Sequence, residues 1–218
     1  MAISSTSLEK LVNTAILESL APFKFVMDET GGAFCDQGDH YLYIGAVTIR
    51  HAGRNRIEPF GQVGFESVNR IKITLLEPGH PIGKRTGTFQ VNYRHFAQER
   101  DAYIGCETEE ELPLALARVR DLTLDRILPC LQKYSDPVEV LNAYFAHDEH
   151  EKNSLGTIGA TNYSSALSGL ILARLFRPEQ YEVLKRRYGF FFEPLIPDIK
   201  VKALRLIAYL DCDPLPAL

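Results

Sequence analysis

Two changes of hydrophobic period constrain most of what this chain can fold into. Leu8, Leu11, Val12, Ala15, Ile16 and Leu20 follow the i, i+3, i+4, i+7 spacing of a helix with one apolar stripe. From about Phe23 to Tyr103 the period drops to two. The alternation is clearest in His40–Ile49, where Tyr41, Tyr43, Gly45, Val47 and Ile49 interleave with Leu42, Ile44, Ala46 and Thr48. After Gly105 the period returns to 3.6, through Leu112, Ala115, Leu116, Val119, Leu122, Ile127 and Leu131. The links between consecutive strand-like runs are too short for crossover helices, so the sheet is expected to be mostly antiparallel. The pattern therefore predicts an α+β fold with an N-terminal helix, a mostly antiparallel sheet and a helical C-terminal half.

Punctuation residues sharpen this reading. Thr6 and Glu9 have capping-box spacing, and Pro22 closes the first helix. Strands are expected near Phe23–Met27, Ala33–Asp36, His40–Ile49, Gln62–Val68, Ile71–Leu76 and Thr88–Tyr93. The turn signals between them are Thr30-Gly31-Gly32, Gln37-Gly38-Asp39, Ala52-Gly53-Arg54-Asn55 and Glu77-Pro78-Gly79. Both faces of His40–Ile49 are apolar, which predicts a central strand covered on both sides. In the helical half Pro113 suits a first turn, whereas Pro129 should kink or end its helix. Asp136-Pro137 with Glu139 starts a helix through Phe145, and further helices are expected at Asn162–Phe176, Pro178–Tyr188 and Asp198–Leu210. Tyr188, Phe190, Phe191 and Phe192 read as core. The helix and sheet of residues 1–105 and the helical region 106–218 are expected to pack as one continuous domain.

A chain of 218 residues with 45% hydrophobic and 24% charged residues can build a core without metal or disulfide staples. No run of about 18 apolar residues spans a membrane. The start, MAISSTSLEK, lacks the basic and apolar regions of a secretory signal, so a cytoplasmic location is expected. Cys35, Cys106, Cys130 and Cys212 form no CxxC pair, which argues against zinc-knuckle and thioredoxin chemistry and for reduced thiols packed as small hydrophobes.

The formal net charge of −4 conceals an uneven distribution. Residues 1–100 carry 11 basic and 10 acidic side chains, residues 101–151 carry 4 and 12, and residues 152–218 carry 9 and 6. A helix N-terminus accounts for Glu109, Glu110 and Glu111 through the macrodipole. It leaves Asp121, Asp125, Asp136, Asp148, Glu149 and Glu151 unexplained as a group. Such a surface repels nucleic acid and attracts a basic protein. The stretch Arg50–Arg100 is the opposite, with 9 basic and 4 acidic residues, and reads as edge protection and a solvated face.

Local catalytic signatures are missing. His147-Asp148-Glu149-His150-Glu151 is dense in potential ligands, but it lacks the HExxH arrangement and reads as a solvated helix end. Gly79-His80-Pro81-Ile82-Gly83-Lys84-Arg85 is one residue short of a phosphate-binding loop, and Pro81 removes an amide donor. There is no GxSxG or GxGxxG, Gly156–Ala160 lacks a preceding strand, and His95 has no Cys or Ser beside it. No cofactor or metal is expected. An enzyme would need residues scattered in sequence, with His147 and His150 the most testable, and the C-terminal helices could instead serve a general interaction module.

Three stretches carry a resemblance: Leu8-Glu9-Lys10-Leu11, Tyr41-Leu42-Tyr43-Ile44, and Arg126-Ile127-Leu128-Pro129-Cys130-Leu131-Gln132-Lys133-Tyr134-Ser135. Over residues 5–145 the order of elements resembles a bacterial α+β domain family of unknown function, similar to the immunity proteins paired with secreted toxins of the type VI kind. The resemblance implies a protein without catalytic residues, whose partner is a cognate toxin rather than nucleic acid or membrane. A nuclease toxin suits an acidic surface, because it must itself be basic where it meets nucleic acid. The partner-binding residues expected on this reading are Glu107, Glu109, Glu110, Glu111, Asp121, Asp125, Asp148 and Glu149.

Overall fold

A computed structural model describes residues 3–51, 53–76, 87–92, 96, 103–146, 163–192 and 197–215. The fold is α+β, with an N-terminal helix, an antiparallel sheet and a helical C-terminal half. Helix α1 (Ser5–Leu20) buries Leu8, Val12, Ala15, Ile16 and Leu20 and packs on strand β3 (His40–His51), while Leu11, at the margin of the stripe, stays exposed. The expected Thr6/Glu9 capping box does not form. Ser4 is the N-cap, its hydroxyl accepting the Ser7 N–H at 3.2 Å. Glu9 is thereby free to reach the sheet, where its carboxylate accepts the Thr48 N–H at 2.8 Å. One turn later the Asn13 side chain accepts the Ala46 N–H at 2.8 Å and donates to the Ala46 carbonyl at 3.4 Å. The helix ends at Leu20, and a 3-10 turn through Pro22 leads to Lys24 in the left-handed region.

Strands β1 (Val26–Met27), β2 (Ala33–Asp36), β3, β4 (Arg54–Phe65) and β5 (Phe89–Asn92) lie in that order, and β6 (Ile104–Gly105) also pairs with β4. β2 and β3 pair Ala33 with Ile44 and Asp36 with Tyr41, across a turn with Gly38 at positive φ. β3 is central, as its sequence requires, but only its first half is covered on both sides. Tyr43 lies over Gly32 and Gly45, where an added Cβ would fall 2.1 and 3.1 Å from its ring hydroxyl and edge. Further along, Val47 and Ile49 are exposed.

Two expected strands are corrected. The run expected at Gln62–Val68 is divided: Gln62–Phe65 end a strand that begins at Arg54, with Asn55, Ile57, Pro59, Gly61 and Val63 turned inward, and Glu66–Val68 start a helix. Pro59 and Gly61 conceal the strand's period, being residues that strands seldom use. The run Ile71–Leu76 belongs to helix α2 (Glu66–Leu76), which buries Val68 and Ile71. Its β-branched composition mimics a strand locally, and burial at helical spacing overrides that preference.

Helices α3 (Leu112–Leu122) and α4 (Leu128–Lys133) are joined without a break by a π turn, Thr123–Ile127. The Leu128 N–H reaches the Thr123 carbonyl, and the helix carries Pro129 onward instead of ending there. Helix α5 (Pro137–Ala146) starts on Asp136, which accepts the Val138 N–H at 2.8 Å, as the Asp-Pro motif predicts. The described residues fall into two compact units, 3–63 with 90–135, and 64–89 with 136–146 and 163–215.

In the second unit α6 (Tyr163–Phe176) and α7 (Pro178–Phe192) pack tightly, with Gly169 of α6 against Tyr188. The buried Tyr188 donates to the Tyr144 carbonyl at 3.5 Å, and Tyr144 donates to the Thr88 carbonyl at 3.1 Å. Tyr188 and Phe192 are core, as expected; the side chains of Phe190 and Phe191 lie outside the described residues. Helix α8 (Pro197–Leu210) is clamped at its end: Tyr181 and Lys185 both donate to Asp211, while Arg174 holds the carbonyls of Leu210 and Cys212. All four cysteines are free. Cys35 and Cys106 are buried, whereas Cys212 is exposed and departs from the packed-thiol expectation. Among the described residues no helix is long and apolar enough to cross a membrane.

Candidate functional site

The pairing of β6 with β4 sets Ile104 opposite Ile57 and Gly105 opposite Arg56. The Cys106 N–H continues it by donating to the Asn55 carbonyl at 3.3 Å. This brings Tyr103 and Glu107 alongside the arginines at the start of β4. The Arg54 Nε lies 3.0 Å from the Glu107 carboxylate, and the Arg56 guanidinium stacks over the Tyr103 ring at 4.3 Å. A hydrogen bond to Tyr103, followed by the Glu107 charge, favours the cationic form of Arg54 and raises its pKa.

The chain then turns through Thr108–Glu111 into α3. Pro113, in the first turn, needs no N–H partner, and the Glu111 carboxylate accepts the Glu107 N–H at 2.7 Å. Ala115 and Val119 face the core, which turns Leu114 and Arg118 outward; Leu114 is 61% exposed. Arg54, Tyr103, Gly105, Glu107, Glu111, Leu114, Ala115 and Arg118 line a cleft of about 310 Å³.

The expected partner-binding residues divide into three sets. Glu107 and Glu111 are brought together in the cleft and are partly committed, one to Arg54 and the other to a backbone N–H. Glu109 and Glu110 are exposed on the turn, with a hydrogen bond from Thr108 holding the Glu110 carboxyl below its usual value. Asp121, in the last turn of α3, and Asp125, in the π turn, are exposed and enter no ion pair among the described residues. Asp148 and Glu149 lie outside the described residues, as do Glu151, His147, His150, His95 and the Gly79–Arg85 loop.

Charge counting missed the other half of the cleft. Arg54 is far from the acidic segment in sequence and Tyr103 carries no charge; only the β4–β6 pairing brings Arg54 to the cleft, with Arg56 behind it stacked on Tyr103. Leu114 did leave a signal, since it falls off the apolar stripe of Leu112, Ala115 and Val119. No group of three or more His, Cys, Asp or Glu side chains among the described residues could hold a metal ion. Burial, with a smaller effect from Glu111, raises the pKa of the Cys106 thiol, which makes it a poor nucleophile beside the cleft. The chain matches no protein-family model, no curated protein sequence and no solved structure.

Proposed function

We propose that this chain is a cytoplasmic immunity protein that binds and neutralises a cognate bacterial toxin, one with a basic surface such as a nuclease presents. The observation that carries this reading is the exposed acidic set Glu109, Glu110, Asp121 and Asp125, carried by the same turn and helix as the solvent-facing Leu114. The Glu107 N–H occupies one oxygen of Glu111, but no such local contact accounts for Asp121 and Asp125, which sit in the middle of the continuous α3–π–α4 helix. Exposed carboxylates that enter no ion pair among the described residues suit a partner of opposite charge. The charges would speed encounter and select the partner, and Leu114 would supply the dry contact. Inhibition of this kind needs a rigid surface and no chemistry of its own.

The test is capture of the tagged chain from its host at moderate salt, beside the variant Glu110→Lys/Asp121→Lys/Asp125→Lys. The expected result is a near-stoichiometric toxin-domain protein that the wild type retains and the variant loses. Co-expression of the wild type should also relieve the growth arrest that this toxin causes. Equal retention by the variant, or arrest that persists, would overturn the reading.

A further inference from the structure

Beyond partner binding, the uncommitted groups of the cleft point to a small ligand. Each carboxylate spends one oxygen internally: Glu107 on Arg54, and Glu111 on the Glu107 N–H. The second oxygen of each, and the whole guanidinium of Arg118, enter no hydrogen bond or ion pair among the described residues. Glu111 and Arg118 are seven residues apart on one helix, two turns and about 10 Å along the axis, with exposed Leu114 between them. Along α3 the wall therefore reads negative, apolar, positive; Arg54 offsets one of the two carboxylate charges at the Glu107 end and leaves that end net negative.

A ligand carrying only an anion would meet the Glu107 and Glu111 charges, and one carrying only a cation would meet Arg54 and Arg118. A molecule with a cation at one end, a carboxylate at the other and a short aliphatic spacer matches all three parts at once. We propose that the cleft between β6 and α3 binds ω-amino carboxylates, with the ammonium on Glu107 and Glu111, the methylenes on Leu114 and the carboxylate on Arg118. The volume of about 310 Å³ accommodates a ligand of this size, at the small end of ligand pockets. Because the charges are partly exposed, affinity is expected to be modest and salt-dependent. The same chemistry is offered by a free ω-amino acid and by a lysine at a protein C-terminus.

Amide chemical shifts of the full chain, titrated with 6-aminohexanoate and with Nα-acetyl-L-lysine, provide the test. Localised shifts at Gly105, Ala115 and Arg118 are expected. Hexanoate and hexylamine, each with one charged end, should bind at least about tenfold more weakly. Arg118→Ala and Glu111→Gln should each abolish saturation while leaving the remaining spectrum intact; the glutamine keeps an acceptor for the Glu107 N–H. Tighter binding of 6-aminohexanoate would assign a free metabolite, and tighter binding of Nα-acetyl-L-lysine a C-terminal lysine. The inference is overturned if the one-ended analogues bind equally well, if the variants bind like the wild type, or if none of the ligands moves these amides at tens of millimolar.

Discussion

Gly61 is the position where a single methyl should do most damage. It lies on the inward face of β4, and an added Cβ would fall 2.7 Å from Ile127 Cγ2 and 2.8 Å from Leu131 Cδ1. Optimal carbon–carbon contact is about 3.5–4.0 Å, so both neighbours would have to retreat by about 1 Å. Neither has room, because Ile127 and Leu131 are fully buried, one in the π turn and the other in α4. Overpacking of this kind costs about 1–3 kcal/mol, and Gly61→Ala should fall in the upper half of that range because two side chains are displaced. The assay is urea unfolding followed by circular dichroism. For a chain of this size the loss corresponds to a Tm lower by about 2–4 °C per kcal/mol. Leu131→Ala removes one of the clashing groups, so the double variant should lose less than the sum of the singles, by about 1 kcal/mol or more. A Gly61→Ala chain within about 0.5 kcal/mol of wild type, or strictly additive singles, would refute the close approach of helix and strand.

Contacts inside each unit can be tested in the same way. Glu9→Ala and Asn13→Ala should each cost about 1–2 kcal/mol in urea unfolding, since each removes hydrogen bonds that tie α1 to β3, and values below about 0.3 kcal/mol would exclude that role. Burial pushes the Asp211 carboxyl up, but hydrogen bonds from Lys185 and Tyr181, with the Lys185 charge, outweigh it and hold the pKa below its ordinary value. Its contribution is therefore present above the unfolded value of about 3.9 and lost as pH falls through the folded value. Asp211→Asn should lower stability at neutral pH and flatten its acid dependence in thermal melts, whereas a parallel, unflattened profile would count against the clamp. Native alkylation followed by mass spectrometry should label the exposed Cys212 first. Cys130, whose thiol burial raises to about 11, should follow slowly, and Cys35 and Cys106 should react only on unfolding. Labelling of Cys106 at the rate of Cys212 would contradict its burial.

Hydrophobic period is a local property, so the class of the fold is legible in the amino-acid order alone. Six positions from Leu8 to Leu20 suffice to define a stripe, and of these only Leu11 is exposed. The Asp136-Pro137 start was equally legible, since a cap acts within its own turn. What failed was local chemistry with a competitor at a distance. Thr6 and Glu9 have capping-box spacing, yet Ser4 supplies the cap and Thr48 claims Glu9 from across the sheet. Val68 and Ile71 have strand composition, and burial at helical spacing decided otherwise. The cleft shows the same division. The acidic residues 107–125 stand out in any charge count, but Arg54, which pairs with Glu107, comes from a segment about 50 residues away. Only the pairing of Arg56 with Gly105 brings them face to face, since strand register depends on partners the local sequence does not contain.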